Sequence, residues 1–210
     1  MKIFMKLIPL VLVLPLTSCA LFDKIAGFFG GGAKEEGDTT VYGTGAESET
    51  LRVGPQFPEG EYVVFSRLDN TEASTSEAVV YKNASHQMTN VYFATSFKTS
   101  SIVKVSSGQD LVLKYAVAIN INSNPEVKTF KNGMFKVGTH IAAGDIKVKG
   151  LSSTAGTTGM FEIYKNLEAL YGLATDLSEY SNVVDGDAEY TIKNVPSGYY
   201  LSLTNLEIVK

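Results

Sequence analysis

Leu51-Arg52-Val53-Gly54-Pro55-Gln56-Phe57-Pro58-Glu59-Gly60-Glu61-Tyr62 returns later in the chain as Phe135-Lys136-Val137-Gly138-Thr139-His140-Ile141-Ala142-Ala143-Gly144-Asp145-Ile146. The shared pattern is apolar-x-Val-Gly-x-x-apolar-x-x-Gly-acidic-apolar, and Gly138 against Gly54 sets the offset at 84. Tyr81-Lys82-Asn83 then matches Tyr164-Lys165-Asn166 at offset 83. Val105-Ser106-Ser107-Gly108 with Leu111-x-Leu113 matches Val195-Pro196-Ser197-Gly198 with Leu201-x-Leu203 at offset 90. Three blocks in one order at near-constant spacing mark two copies of a single unit. The later copy carries seven more residues between its second and third blocks.

The glycines tell what the unit is. Gly60 and Gly144 each follow a turn and precede a strand, where a positive φ costs glycine little. Gly54 and Gly138 close a short edge strand. Gly108 and Gly198 read as hairpin turns into the last strand of each copy. Between these points Tyr, Val, Ile, Thr and Phe recur, punctuated by Gly, Asn, Asp and Ser in the rhythm of a sandwich or barrel. Asp145-Ile146-Lys147-Val148-Lys149 and Tyr190-Thr191-Ile192 alternate as half-buried strands do. Leu167, Leu170, Ala174 and Leu177 are instead spaced for a short helix in the second copy, although Gly172 interrupts it. The fold class expected is mainly β, with two tandem small β-sandwich domains of jelly-roll or immunoglobulin-like type. They occupy residues 51–125 and 134–210, and each copy of about 75–80 residues suffices for one small sandwich.

The Val-Gly-x-x-apolar-x-x-Gly-x-Tyr block, with Tyr62 closing its first copy, and the Gly-x-x-Leu-x-Leu block resemble a small β-sandwich module. It recurs in secreted proteins and lipoproteins, mainly of Gram-positive bacteria. The module usually reads Ile-Pro-Ala-Gly-x-Tyr. Here the first copy keeps Pro58, Gly60 and Tyr62, and the second keeps Ile141, Ala143 and Gly144. The matching residues are turn chemistry, so the resemblance implies a fold and carries no catalytic role.

The chain starts differently. Lys2 and Lys6 precede the apolar run Leu7-Ile8-Pro9-Leu10-Val11-Leu12-Val13-Leu14-Pro15-Leu16. Crossing a bilayer takes about 20 apolar residues, so this run reads as the core of a secretory signal over residues 1–18. Leu16-Thr17-Ser18-Cys19 follows at once and resembles the bacterial lipobox. The resemblance implies a thioether lipid on Cys19 and cleavage between Ser18 and Cys19. Cys19 is the only cysteine of the 210 residues, so no internal disulfide is available and lipidation uses the thiol. Residues 19–50, with Gly30-Gly31-Gly32 and Lys34-Glu35-Glu36, read as a flexible lipidated tether. About 30 such residues reach about 30 Å on average. Leu21, Phe22, Ile25, Phe28 and Phe29 at its start form an apolar collar suited to a membrane interface. The location expected is the extracytoplasmic side of a bacterial cell membrane.

Without its leader lysines the chain keeps 16 basic residues against 22 acidic ones, a net −6. That balance argues against nucleic acid, which calls for a basic patch. Catalytic signatures are missing: there is no Gly-x-Ser-x-Gly elbow and no phosphate loop. His86 and His140 read as exposed turn histidines. No cofactor motif appears, and two distant histidines without a free thiol do not make a zinc site. Asp185, Asp187 and Glu189 are a weak calcium candidate, and Asp185-Gly186 is equally a turn signal. Eleven tyrosines and no tryptophan leave open a sugar-stacking surface, though tyrosine is also simply a good strand residue. The reading is a lipid-anchored envelope protein with a non-catalytic binding role toward an envelope polymer or protein partner. The alternatives are a carbohydrate-binding module marked by a row of exposed tyrosines, a hydrolase with a cleft between the copies, and a structural spacer with open edge strands.

Overall fold

Tyr62-Val63-Val64-Phe65 is apolar at every position, whereas its counterpart Ile146-Lys147-Val148-Lys149 alternates. A continuous apolar run suits a strand buried on both faces, and alternation suits a strand wet on one. The computed structural model, which describes residues 39–68, 75–151, 158–171 and 180–209, shows both cases. The signal segment, Ser18, Cys19, the collar residues, and Ala174 and Leu177 of the helical pattern lie outside the described residues.

The protein is mainly β, built of four antiparallel sheets arranged as two sandwiches. In the first half the strands are β1 (Val41–Tyr42), β2 (Glu49–Arg52), β3 (Gly60–Ser66), β4 (Ser76–Tyr81), β5 (Val91–Phe97), β6 (Ser100–Val105), β7 (Asp110–Lys114) and β8 (Ala116–Asn120). One sheet has the order β1-β8-β3-β6 and the other β2-β7-β4-β5. The second half has β9 (Met134–Lys136), β10 (Gly144–Gly150), β11 (Thr158–Tyr164), helix α1 (Leu167–Leu170), β12 (Tyr180–Asp185), β13 (Glu189–Val195), β14 (Tyr200–Thr204) and β15 (Leu206–Ile208). Its sheets run β13-β10-β15 and β12-β11-β14-β9. Position by position this is the order of the first half. A bridge between Lys131 and Glu207 stands where β1 pairs with β8.

Both halves belong to one compact unit. The first sandwich closes over Tyr62, Val64, Val80, Val103, Leu111 and Leu113. The second closes over Phe135, Ile146, Val148, Phe161, Ile192 and Leu201, all buried. The other face of the β3 sheet is where the halves differ. Val63 sits between Ile102 and Ile119, and Phe65 beside Val117. In the second half Lys147 faces Thr191, and Lys149 faces Glu207. Val63 and Ile102 are fully buried although they point away from their own core. The second half covers them. On the same face, Glu61 accepts bonds from Lys136 Nζ at 2.7 Å and Tyr200 Oη at 2.9 Å. Lys104 bonds Glu168 at 2.6 Å. Each large apolar side chain so buried contributes about 1.5–3 kcal/mol.

Three expectations need correcting. The fold begins before residue 51: Tyr42 packs edge-on against Phe57 and Tyr62, and Glu49 already pairs with Leu113. The tether reading extended too far because those few residues are polar in composition yet anchored by one ring. Next, the Ser-Gly turns are not hairpins. Residues 106–109 join β6 to β7 and 196–199 join β13 to β14, strands that lie in different sheets. Neither β7 nor β14 is the last strand of its half. Of the motif glycines, Gly60, Gly108, Gly138, Gly144 and Gly198 have positive φ, while Gly54 does not.

Candidate functional site

Where the halves meet, the chain packs backbone on backbone. Thr99, in the turn between β5 and β6, donates its Oγ1 to the carbonyls of Lys131 at 2.8 Å and Asn132 at 3.1 Å. A Cβ on Gly133 would lie 2.7 Å from Thr99 Oγ1 and 2.8 Å from the Ser100 carbonyl, so only glycine lets these segments touch. Asn132 in turn holds the β14–β15 turn, its Oδ1 accepting from the Asn205 backbone N–H at 2.6 Å. Both asparagines adopt the left-handed conformation that such turns require.

This junction leaves a cleft of about 220 Å³ on its flank. One wall comes from the first half, with Thr95, Ser96, Lys98, Ser100 and Ser101, and the other from the second, with Asn132, Ser202, Thr204 and Asn205. Phe97, Met134 and Leu203 make its apolar part. Ser100 is 1% exposed, and its Oγ has no hydrogen-bond partner among the described residues. Ser101 Oγ lies 3.5 Å from Thr95 Oγ1. Nothing in the sequence pointed here. The lining residues are common in strands and turns, and they converge only once the two halves dock.

A second polar cluster surrounds Asp110 at the start of β7. Arg52 donates to it through Nε at 3.0 Å and a terminal nitrogen at 3.1 Å. His86 Nε2 lies 2.8 Å from Asp110 Oδ2, the oxygen that Arg52's terminal nitrogen also reaches, with its ring against Tyr81. Asp110 is buried, and the Arg52 bonds hold its carboxyl below the usual range. His86 is the exposed turn residue expected, with positive φ, and its ring is in addition tied to a buried acid.

His140 departs from expectation. It stands in the turn of the repeat, yet its ring is largely enclosed. Nδ1 accepts from the Lys136 backbone N–H at 3.1 Å, and Nε2 has no partner among the described residues. Burial, helped by the Lys136 charge, lowers its pKa to about 4.

The remaining candidates are turn and packing residues. Asp185-Gly186-Asp187 links β12 to β13, and the Ala188 N–H bonds the Asp185 carbonyl at 3.0 Å. Glu189 pairs with Lys147. Among the described residues no three His, Cys, Asp or Glu side chains converge on a metal position. The tyrosines form no exposed row. Tyr62, Tyr164 and Tyr200 are buried, and of the described tyrosines only Tyr180 counts as exposed, at 43%. Among the described residues β12 is an open sheet edge, carrying Tyr180 and the 53%-exposed Val183. No described helix is long and apolar enough to cross a membrane. Compared with known proteins, the chain matches no family and no curated relative.

Proposed function

We infer that this protein is a bacterial envelope lipoprotein, anchored outside the cytoplasm through a lipid on Cys19, whose β body binds an envelope component without catalysis. The observation that carries the anchor is the order of the leader. Two lysines, ten apolar residues and Leu16-Thr17-Ser18-Cys19 follow one another, and Cys19 is the only cysteine. Supporting a binding role is the junction cleft, which needs both halves to exist and holds a buried hydroxyl without a partner. Its lining contains no carboxylate, no histidine and no cysteine, so its serine and threonine hydroxyls have no carboxylate or imidazole beside them to act as base.

Membrane fractionation tests the anchor. The Cys19→Ser chain should move from the membrane fraction to the soluble one, and unchanged retention would overturn the anchor. Capture from envelope extracts tests the binding role: the immobilised full chain should retain a polymer or protein, and retention of nothing would remove that part of the reading.

A further inference from the structure

The junction cleft points to one class of ligand. We propose that it binds a single unit of a neutral sugar, gripped by hydrogen bonds from Ser100 and the hydroxyls around it rather than by ring stacking. This rests on the binding role inferred above and names its ligand.

Charge decides first. Lys98 is the one charged residue among those lining the cleft, and it already has an interaction of its own. Phosphate and carboxylate ligands call for a fork of cations or converging backbone N–H groups. A cationic ligand calls for acids, and the lining has none. What the cleft offers is serine and threonine hydroxyls, each able to donate and accept, with asparagine amides beside them. A neutral ligand that also donates and accepts at every position fits that set, and a sugar ring is such a ligand.

Size decides next. A volume of about 220 Å³ lies under the roughly 300 Å³ at which sites for larger ligands begin. One ring fits and a folded chain does not. Phe97 and Met134, both largely buried, supply the apolar surface that the C–H side of a sugar covers. Ser100 decides last. A buried hydroxyl is normally satisfied within the protein. Here it lines the cleft, closed off from solvent and with no partner among the described residues, so it is a donor and acceptor that the fold leaves unused.

The test is titration calorimetry on the detergent-solubilised full chain with triacetylchitotriose, maltotriose and, for comparison, trialanine blocked at both termini so that it carries no charge. At least one sugar should bind, and trialanine should not. Ser100→Ala should weaken sugar binding by about fivefold, the worth of one neutral hydrogen bond. The same variant should be at least as resistant to urea as the parent, because it loses a hydroxyl that nothing in the fold uses. Failure of both sugars, equal affinity in Ser100→Ala, or binding of trialanine in their place would overturn the proposal. Envelope capture separates the two levels. If the sugars fail while the chain still retains envelope material, the ligand class is wrong and the binding role stands; if it retains nothing, both fall.

Discussion

Asp110 and His140 show the same rule from opposite sides: a titratable group is set by what the fold places against it. Asp110 is buried and receives Arg52 and His86, so its charged form is favoured. A carboxyl with a depressed folded pKa stabilises above the ordinary aspartate value, and that stability is lost as pH falls through the folded value. Asp110→Asn should therefore cost about 2 kcal/mol at neutral pH, as expected for breaking a charged hydrogen-bond set. It should also flatten the acid limb of a urea-midpoint profile below about pH 4. His140 works in the other direction. Its pKa is lowered from 6.5 to about 4, so the unfolded chain takes up the proton first. Stability should fall as pH drops from about 6.5 to 4, by on the order of 1–2 kcal/mol once partial solvent screening is allowed for. His140→Gln should remove that slope, measured by urea midpoints across the window. Neither environment was legible in the sequence. His86 meets Asp110 from 24 residues away, and the enclosure of His140 is tertiary.

Among elements, the short helix α1 lies in the stretch where the second copy is longer. There Glu168 reaches Lys104, and Tyr171, just past the helix, stacks on Phe93 with ring centres 4.1 Å apart. Lys104 donates its backbone N–H to Tyr171 Oη at 2.6 Å. Residues 167–171 are thus a clasp from one half onto the other. The helix starts because Asn166 caps it, accepting from the Ala169 N–H at 2.8 Å. Tyr171→Phe should cost about 1–2 kcal/mol by leaving that N–H unpaired, and Tyr171→Ala about 3 kcal/mol or more by also deleting the ring. Urea denaturation distinguishes the two. A turn supplies another prediction. The 185–188 turn rests on the backbone of Gly150, where a Cβ would collide with the Gly186 carbonyl oxygen. Gly150→Ala should lower the melting temperature by several degrees, because backbone cannot yield as a flexible side chain does.

For the whole molecule, the docking of the halves predicts joint unfolding. Val63→Asp would bury an unpaired charge at the junction. Calorimetry should then replace a single heat-absorption peak by two transitions, or by aggregation of the first half. How much of this the residues announced depends on range. The repeat, its turn glycines and the sandwich class were readable, because turn conformation and strand alternation are local. The difference between Val63-x-Phe65 and Lys147-x-Lys149 was also present in the sequence, and it marks which sheet is covered on both sides. The cleft was not readable. Its walls come from residues 95–101, 132–134 and 202–205, and only docking makes them neighbours.

The junction joins two unlike surfaces, and a contact of that kind, reused between copies, builds a ring or an open filament. On the sheet that would have to donate next, Lys147 meets Glu189 and Lys193 meets Asp145, so the face is studded with ion pairs instead of aliphatic side chains. At the opposite end, the sheet that would have to accept presents Lys114 beside Glu77. Charged pairs on both outer faces, where the docked face has Val63 and Ile102, work against a further unit joining by the same contact.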